Sequence, residues 1–120
     1  LHARGIPLAI GTSSSRELCE IKLAPHAFSA RFRSVVCSDD PGISGGKPAP
    51  DIFLRAASEL GAEPARCLVF EDTEKGVQAA RTAGMQVLVI PDPALSDVDF
   101  SQATGVLESL EGLTLSTLGL

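Results

Sequence analysis

Cys67-Leu68-Val69-Phe70-Glu71-Asp72-Thr73 opens with four apolar residues, breaks off at two adjacent acids, and ends on a hydroxyl that can cap a helix. The spacing of Val77, Ala80 and Ala83 predicts a helix behind Thr73 that stops at Gly84. A short, continuously apolar strand of this kind suits a parallel sheet covered on both faces. Upstream, Pro7-Leu8-Ala9-Ile10-Gly11 ends at Thr12-Ser13-Ser14-Ser15, and Leu18, Cys19 and Ile21 recur at helix-like spacing between Arg16 and Leu23. Ser34-Val35-Val36-Cys37-Ser38 reads as a second strand, followed by the turn formers Asp39-Asp40-Pro41-Gly42 and a glycine-rich loop to Gly46. Ile52, Phe53, Ala56, Ala57 and Leu60 then make one apolar helical face, opened by Pro50 and closed by Gly61. Downstream, Gln86 to Ile90 repeats the strand pattern before Pro91-Asp92-Pro93.

The order β-α-β-α-β-α-β predicts an α/β fold: a three-layer α/β/α, doubly wound parallel sheet with right-handed crossovers. Ligands of such sheets bind beyond the carboxyl ends of the strands. Residues 101–120 show weak periodicity and fit either a strand or a short helix. A single core domain over 1–120 is expected, with the chemistry in about 5–92 and a tail over 93–120.

Bulk properties narrow the function classes. At 120 residues, 44% hydrophobic and 21% charged, the chain is globular in composition. Its apolar runs, such as Val87 to Ile90, fall far short of the roughly 20 residues of a membrane span. A net charge of -5 argues against a nucleic-acid partner, which needs clustered Lys and Arg. Three widely spaced cysteines, Cys19, Cys37 and Cys67, suit buried thiols in a reducing compartment better than a disulfide framework, and the cytoplasm is the expected location. Leu1-His2-Ala3-Arg4 before Gly5-Ile6-Pro7 reads as the last turn of a helix, so a longer parent chain is expected.

Polar residues fall where a ligand would sit: Thr12-Ser13 after the first strand, Lys47 after the second, Glu71-Asp72 after the third. A hydroxyl beside free N–H groups, a lysine and a carboxylate pair suit a phosphate with a divalent cation. Each element also has a plain structural use. Ser14 with Glu17 three residues on fits a capping box; Lys47 could be a solvated loop lysine shaped by Pro48 and Pro50; Asp72 could cap the next helix. Adjacent carboxylates at a strand end nevertheless repel unless a cation or hydrogen bonds compensate, and Mg²⁺ is a natural compensator.

Thr12-Ser13, then Gly46-Lys47-Pro48-Ala49-Pro50-Asp51, then Phe70-Glu71-Asp72-Thr73 with Gly76, Ala79-Ala80 and Ala83-Gly84-Met85 resemble the second, third and fourth motifs of haloacid dehalogenase (HAD)-type phosphatases, in order. The texture is similar to the subgroup that holds pseudouridine-5'-phosphatase, other small sugar-phosphate phosphatases and β-phosphoglucomutase. The resemblance implies a Mg²⁺-dependent phosphatase of a small phosphorylated metabolite, acting through an aspartyl-phosphate. Thr12 would donate its hydroxyl and Ser13 its N–H to the phosphoryl group, Lys47 would bridge phosphate and nucleophile, Asp72 would ligate Mg²⁺, and Glu71 would ligate it or orient its waters. Arg16 is a weaker candidate for substrate contact.

The family's first motif, Asp-x-Asp at the end of an apolar strand, has no counterpart. Asp97-Val98-Asp99 matches the letters but lies in a Pro/Ser/Asp-rich segment and reads as a solvated loop. By the resemblance, the strand without a counterpart is central, between those ending at Thr12 and Asp72, and the helical cap is absent too. The expectation is therefore catalysis in a longer parent and an inactive isolated chain. A noncatalytic product binding phosphate or a partner, and a mutase, are the rival readings.

Overall fold

The computed structural model of the chain describes residues 1–94 and 97–119. Strands β1 (Ala9–Gly11), β2 (Ser34–Val36), β3 (Leu68–Glu71) and β4 (Gln86–Val89) stand where the apolar runs place them. Helices α1 (Arg16–Leu23), α2 (Asp51–Leu60) and α3 (Glu74–Thr82) alternate with them. The undecided tail contributes β5 (Gly105–Val106), which adds a parallel strand beside β4 with Leu88 opposite Gly105. The N-terminal residues His2–Arg4 form a single 3-10 turn ended by Gly5 in the left-handed region.

All pairings are parallel, but the strands form two sheets rather than one: β1 with β2, and β3-β4-β5. β1 and β3 each pair on one side only among the described residues. This is the arrangement expected if the strand between them is not in 1–120.

The layers follow from strand alternation. Val36 points to a cluster with Ile52 and Ala56 of α2. Its neighbour Val35 faces the other way, lining a cavity of about 290 Å³ with Cys19 and Leu23 of α1. Helices α1 and α2 therefore cover opposite faces of β1-β2. In the second sheet Val87 and Val89 turn inward to Phe53 and Ala57 of α2 and to Val77 and Ala80 of α3. Ile52, Val36, Val77, Val87 and Val89 are essentially solvent-free, and burying a side chain of this class stabilises by roughly 1.5–3 kcal/mol.

Helix α2 thus serves both sheets, with Ile52 and Ala56 on one side and Phe53 and Ala57 on the other. It approaches β1 closely: a Cβ on Gly11 would lie 2.9 Å from Ile52 Cγ2 and 3.2 Å from the Phe53 ring. Gly61 closes the helix at φ 66° and Gly84 follows α3 at φ 79°, both in the conformation that favours glycine. By contrast α1 is weakly anchored by apolar contact. Only Cys19 is buried, while Leu18 and Ile21 remain 43% and 64% exposed.

All three cysteines are free thiols, Cys19 and Cys37 buried and Cys67 half-buried. Burial, with Cys19 alongside, pushes the Cys37 thiol up to about 11. Among the described residues no helix is long and apolar enough to cross a membrane.

Candidate active site

At the end of β1, the Thr12 N–H donates to Val36 O (2.9 Å), extending the pairing one residue past the strand. Thr12 Oγ1 accepts from the Ser14 N–H at 3.1 Å, which folds the loop back and leaves the hydroxyl proton uncommitted. The cap of α1 is Ser15, whose Oγ accepts from the Leu18 N–H, rather than Ser14. Ser14 instead accepts on Oγ from Lys22 Nζ at 3.2 Å. The loop simply runs one residue longer before turning helical than the capping-box spacing implies.

A second correction concerns the start of α1 as a source of N–H donors. The Arg16 N–H donates to Asp39 Oδ1 at 2.7 Å, so an internal carboxylate already occupies the positive end of that helix. Ser13, exposed and without an internal acceptor for its N–H among the described residues, is the donor left facing the site. The Arg16 side chain does not line the cavity that Ser13 lines; it turns to the strand β2 and the turn after it. Its Nε and Nη2 grip Asp40 Oδ1 (3.1 Å) and Oδ2 (2.6 Å), and Nη2 also donates to Val35 O (2.8 Å).

The loop carrying Lys47 is tied to α2 at its start, where Asp51 Oδ2 accepts from the Ser44 and Gly45 N–H groups at 3.1 Å each. The Lys47–Pro48 peptide bond is cis. From this loop Lys47 reaches inward. Its Nζ donates to Gly11 O (3.2 Å) and to Glu71 Oε1, and lies 4.5 Å from the centre of the Phe53 ring. The lysine therefore bridges the end of β1 and the end of β3, the two strands with no direct pairing.

Glu71 is buried, and both of its oxygens are engaged within the chain. While Oε1 receives Lys47, Oε2 accepts from Thr73 Oγ1 (3.0 Å) and from the Thr73 and Asp72 N–H groups (3.2 Å each). Thr73 caps α3 as expected, accepting from the Gly76 N–H at 3.1 Å. Gly76 sits against the Glu71 carboxyl so closely that a Cβ there would overlap it.

Ser13, Lys47, Asp72 and Thr73 line one cavity of about 310 Å³, together with Glu74, Lys75 and Val98. The strand ends thus converge as their positions imply. Thr12 and Glu71 are not part of the lining; they hold it from behind. Lys75 and Val98 were absent from the sequence reading. Lys75 was findable, since it lies in the first helical turn after a strand end already singled out; Val98 belongs to the Asp97-Val98-Asp99 segment that reads as a solvated loop, and nothing in that reading brings it to the cavity. Asp97 and Asp99 are exposed, and the Ser101 N–H donates to Asp99 Oδ1 (2.8 Å) and holds that carboxyl below its usual range, as suits a solvated turn.

Among the described residues no three His, Cys, Asp or Glu side chains gather into a group fit for a metal. The donors present fit a share of a Mg²⁺ site, because Asp72 is an exposed carboxylate on the cavity wall and this ion takes one or two carboxylates beside phosphate oxygens and water.

This geometry belongs to a known class. A family model for haloacid dehalogenase-like hydrolases matches residues 1–84, and the chain belongs to that family. It is 47% identical over its full length to the Drosophila melanogaster protein named Probable pseudouridine-5'-phosphatase, of which it spans 54%. Over its full length it is also 39% identical to the Arabidopsis thaliana bifunctional riboflavin kinase/FMN phosphatase, spanning 31% of it. Among solved structures, CbbY from Rhodobacter sphaeroides in complex with phosphate superposes with a TM-score of 0.86 at 30% identity, over 98% of this chain and 53% of that one. The chain spans about half the length of the first of these relatives and of the solved structure, and less of the second.

Proposed function

We propose that the protein carrying this chain is a Mg²⁺-dependent phosphomonoester hydrolase of a small sugar or nucleoside phosphate, with a pseudouridine-5'-phosphatase-like substrate the first to try. The observation that carries the reading is the single cavity on which Ser13, Lys47 and Asp72 converge, with Lys47 clamped between Gly11 and Glu71. An ammonium has three donors; with two engaged inside the chain, the third is left for an oxygen in the cavity. The Ser13 N–H adds a neutral donor for the phosphoryl oxygens, and Thr12 braces the loop behind it by accepting from the Ser14 N–H. Asp72 would hold Mg²⁺, which when bound neutralises and orients the phosphoryl group. Such positioning and charge compensation is most of what phosphoryl transfer requires of a protein.

The nucleophile, an aspartate that becomes phosphorylated, would arrive on a strand inserted between β1 and β3, whose facing edges are unpaired among the described residues. Residues 1–120 on their own should then fail to turn over. The test compares this chain with the longer protein on p-nitrophenyl phosphate with and without Mg²⁺. Turnover by the longer protein alone, lost on Asp72→Asn, supports the reading. Mg²⁺-dependent turnover by residues 1–120 would refute the missing nucleophile.

A further inference from the structure

The clasp between the turn after β2 and the start of α1 carries no group into the cavity, yet it holds the loop that does. Ser38 donates to Ser14 O twice, from its N–H at 3.1 Å and its Oγ at 3.2 Å. Asp39 takes the Arg16 N–H, and Asp40 takes the Arg16 guanidinium in a two-pronged grip. Asp40 is itself fixed, since the Cys37 N–H donates to its Oδ2 at 2.8 Å. Because α1 buries only Cys19, apolar packing does little to place the loop before it. The polar clasp therefore sets where Ser13 stands relative to Lys47.

We infer that Asp40 and Arg16 are positioning residues for the Thr12–Ser15 loop, holding Ser13 at the distance from Lys47 that a phosphoryl group requires. This rests on the proposed reading that the loop binds phosphate. With Arg16 41% exposed on its side chain, the pair adds little to stability, so its loss should disturb geometry more than folding. Lysine cannot replace Arg16, because a point charge does not reproduce the fork on Asp40 with a further bond to Val35 O.

The experiment uses the longer protein with Asp40→Asn, Arg16→Lys, Ser38→Ala and, as control, Arg66→Gln, at an exposed arginine outside both the clasp and the cavity. Hydrolysis of p-nitrophenyl phosphate, inhibition by inorganic phosphate and the thermal midpoint are measured for each. Asp40→Asn and Arg16→Lys should lower kcat and weaken phosphate inhibition on the order of tenfold or more, with the midpoint nearly unmoved and Arg66→Gln unaffected. Ser38→Ala, which spares the ion pair, should give a smaller loss in the same direction and serves if the others fail to fold. Unchanged kinetics, or losses that only follow the midpoint, overturn the inference. A wild-type protein without hydrolysis would sink the proposed function first. The positioning claim is then decided by inorganic phosphate alone, through the amide shifts of Ser13 and Lys47, and no binding, or binding indifferent to Asp40→Asn, overturns it.

Discussion

Lys47 and Glu71, 24 positions apart, form an ion pair whose side chains are 10% and 7% exposed. The lysine rises from the loop before α2 and the carboxylate from the end of β3, so the pair joins parts of the chain that share no strand pairing. Glu71 also collects the donors at the start of α3. The carboxylate thus holds a lysine and a helix start in place beside the exposed Asp72.

A buried pair of this kind should show strong coupling. Lys47→Met leaves a desolvated carboxylate and Glu71→Gln a desolvated ammonium, each expected to cost about 3–5 kcal/mol, while the double variant should cost much less than their sum. Urea denaturation of the four proteins measures this. Additive losses would mean that the two groups do not interact.

Gly76→Ala should damage the same arrangement from the other side. With the Glu71 carboxyl filling the space a Cβ would need, either the carboxylate leaves Lys47 and Thr73 or α3 shifts away, and overpacking of this sort typically costs about 1–3 kcal/mol. Gly84→Ala tests a different penalty, since nothing lies within 4 Å of its Cβ position and only the backbone at φ 79° is strained. The urea midpoint should fall for both. Disturbed Lys47 and Thr73 resonances should appear for Gly76→Ala alone.

The Arg16–Asp40 clasp predicts an acid limb. Its hydrogen bonds from Arg16 and from the Cys37 N–H hold the Asp40 carboxyl below its ordinary 3.8. A depressed folded-state value means that the contribution is complete above the unfolded value and fades as pH falls through the folded one. Arg16, its own value raised by Asp40, stays charged throughout. The small offset in thermal midpoint that the half-exposed pair leaves between wild type and Asp40→Asn should be constant from about pH 5 to 8 and fade below about pH 4. A difference that grew toward low pH would contradict the assignment.

The readable parts of the molecule were those governed by local rules. Apolar runs marked the four main strands, and Gly61, Thr73 and Gly84 marked helix ends, because periodicity and capping act over a few residues. The buried face of α2 was likewise visible as Ile52, Phe53, Ala56 and Ala57. What stayed hidden was which distant group each polar residue would meet. Glu71 looked like half of a cation site beside Asp72, and only its proximity to Lys47 and Thr73 shows that its oxygens are engaged. Arg16 was a weak candidate for substrate contact, and nothing near it in the sequence marked Asp40, 24 positions on, as its partner. Such pairings depend on how elements pack, which side-chain spacing does not encode. The division into two sheets was foreseeable only through the resemblance, and β5 is too short for any periodicity to reveal.

Helix α2 is the spine on which two leaves are bound, since adjacent rows of its side chains enter different apolar clusters. Neither leaf can peel away while the spine remains wound, because each would strip water-free side chains from the same helix. Melting of the two leaves should accordingly be a single event, and the amides of α2 should be among the last to exchange with solvent. An inserted strand would then find its slot already held open to a set width.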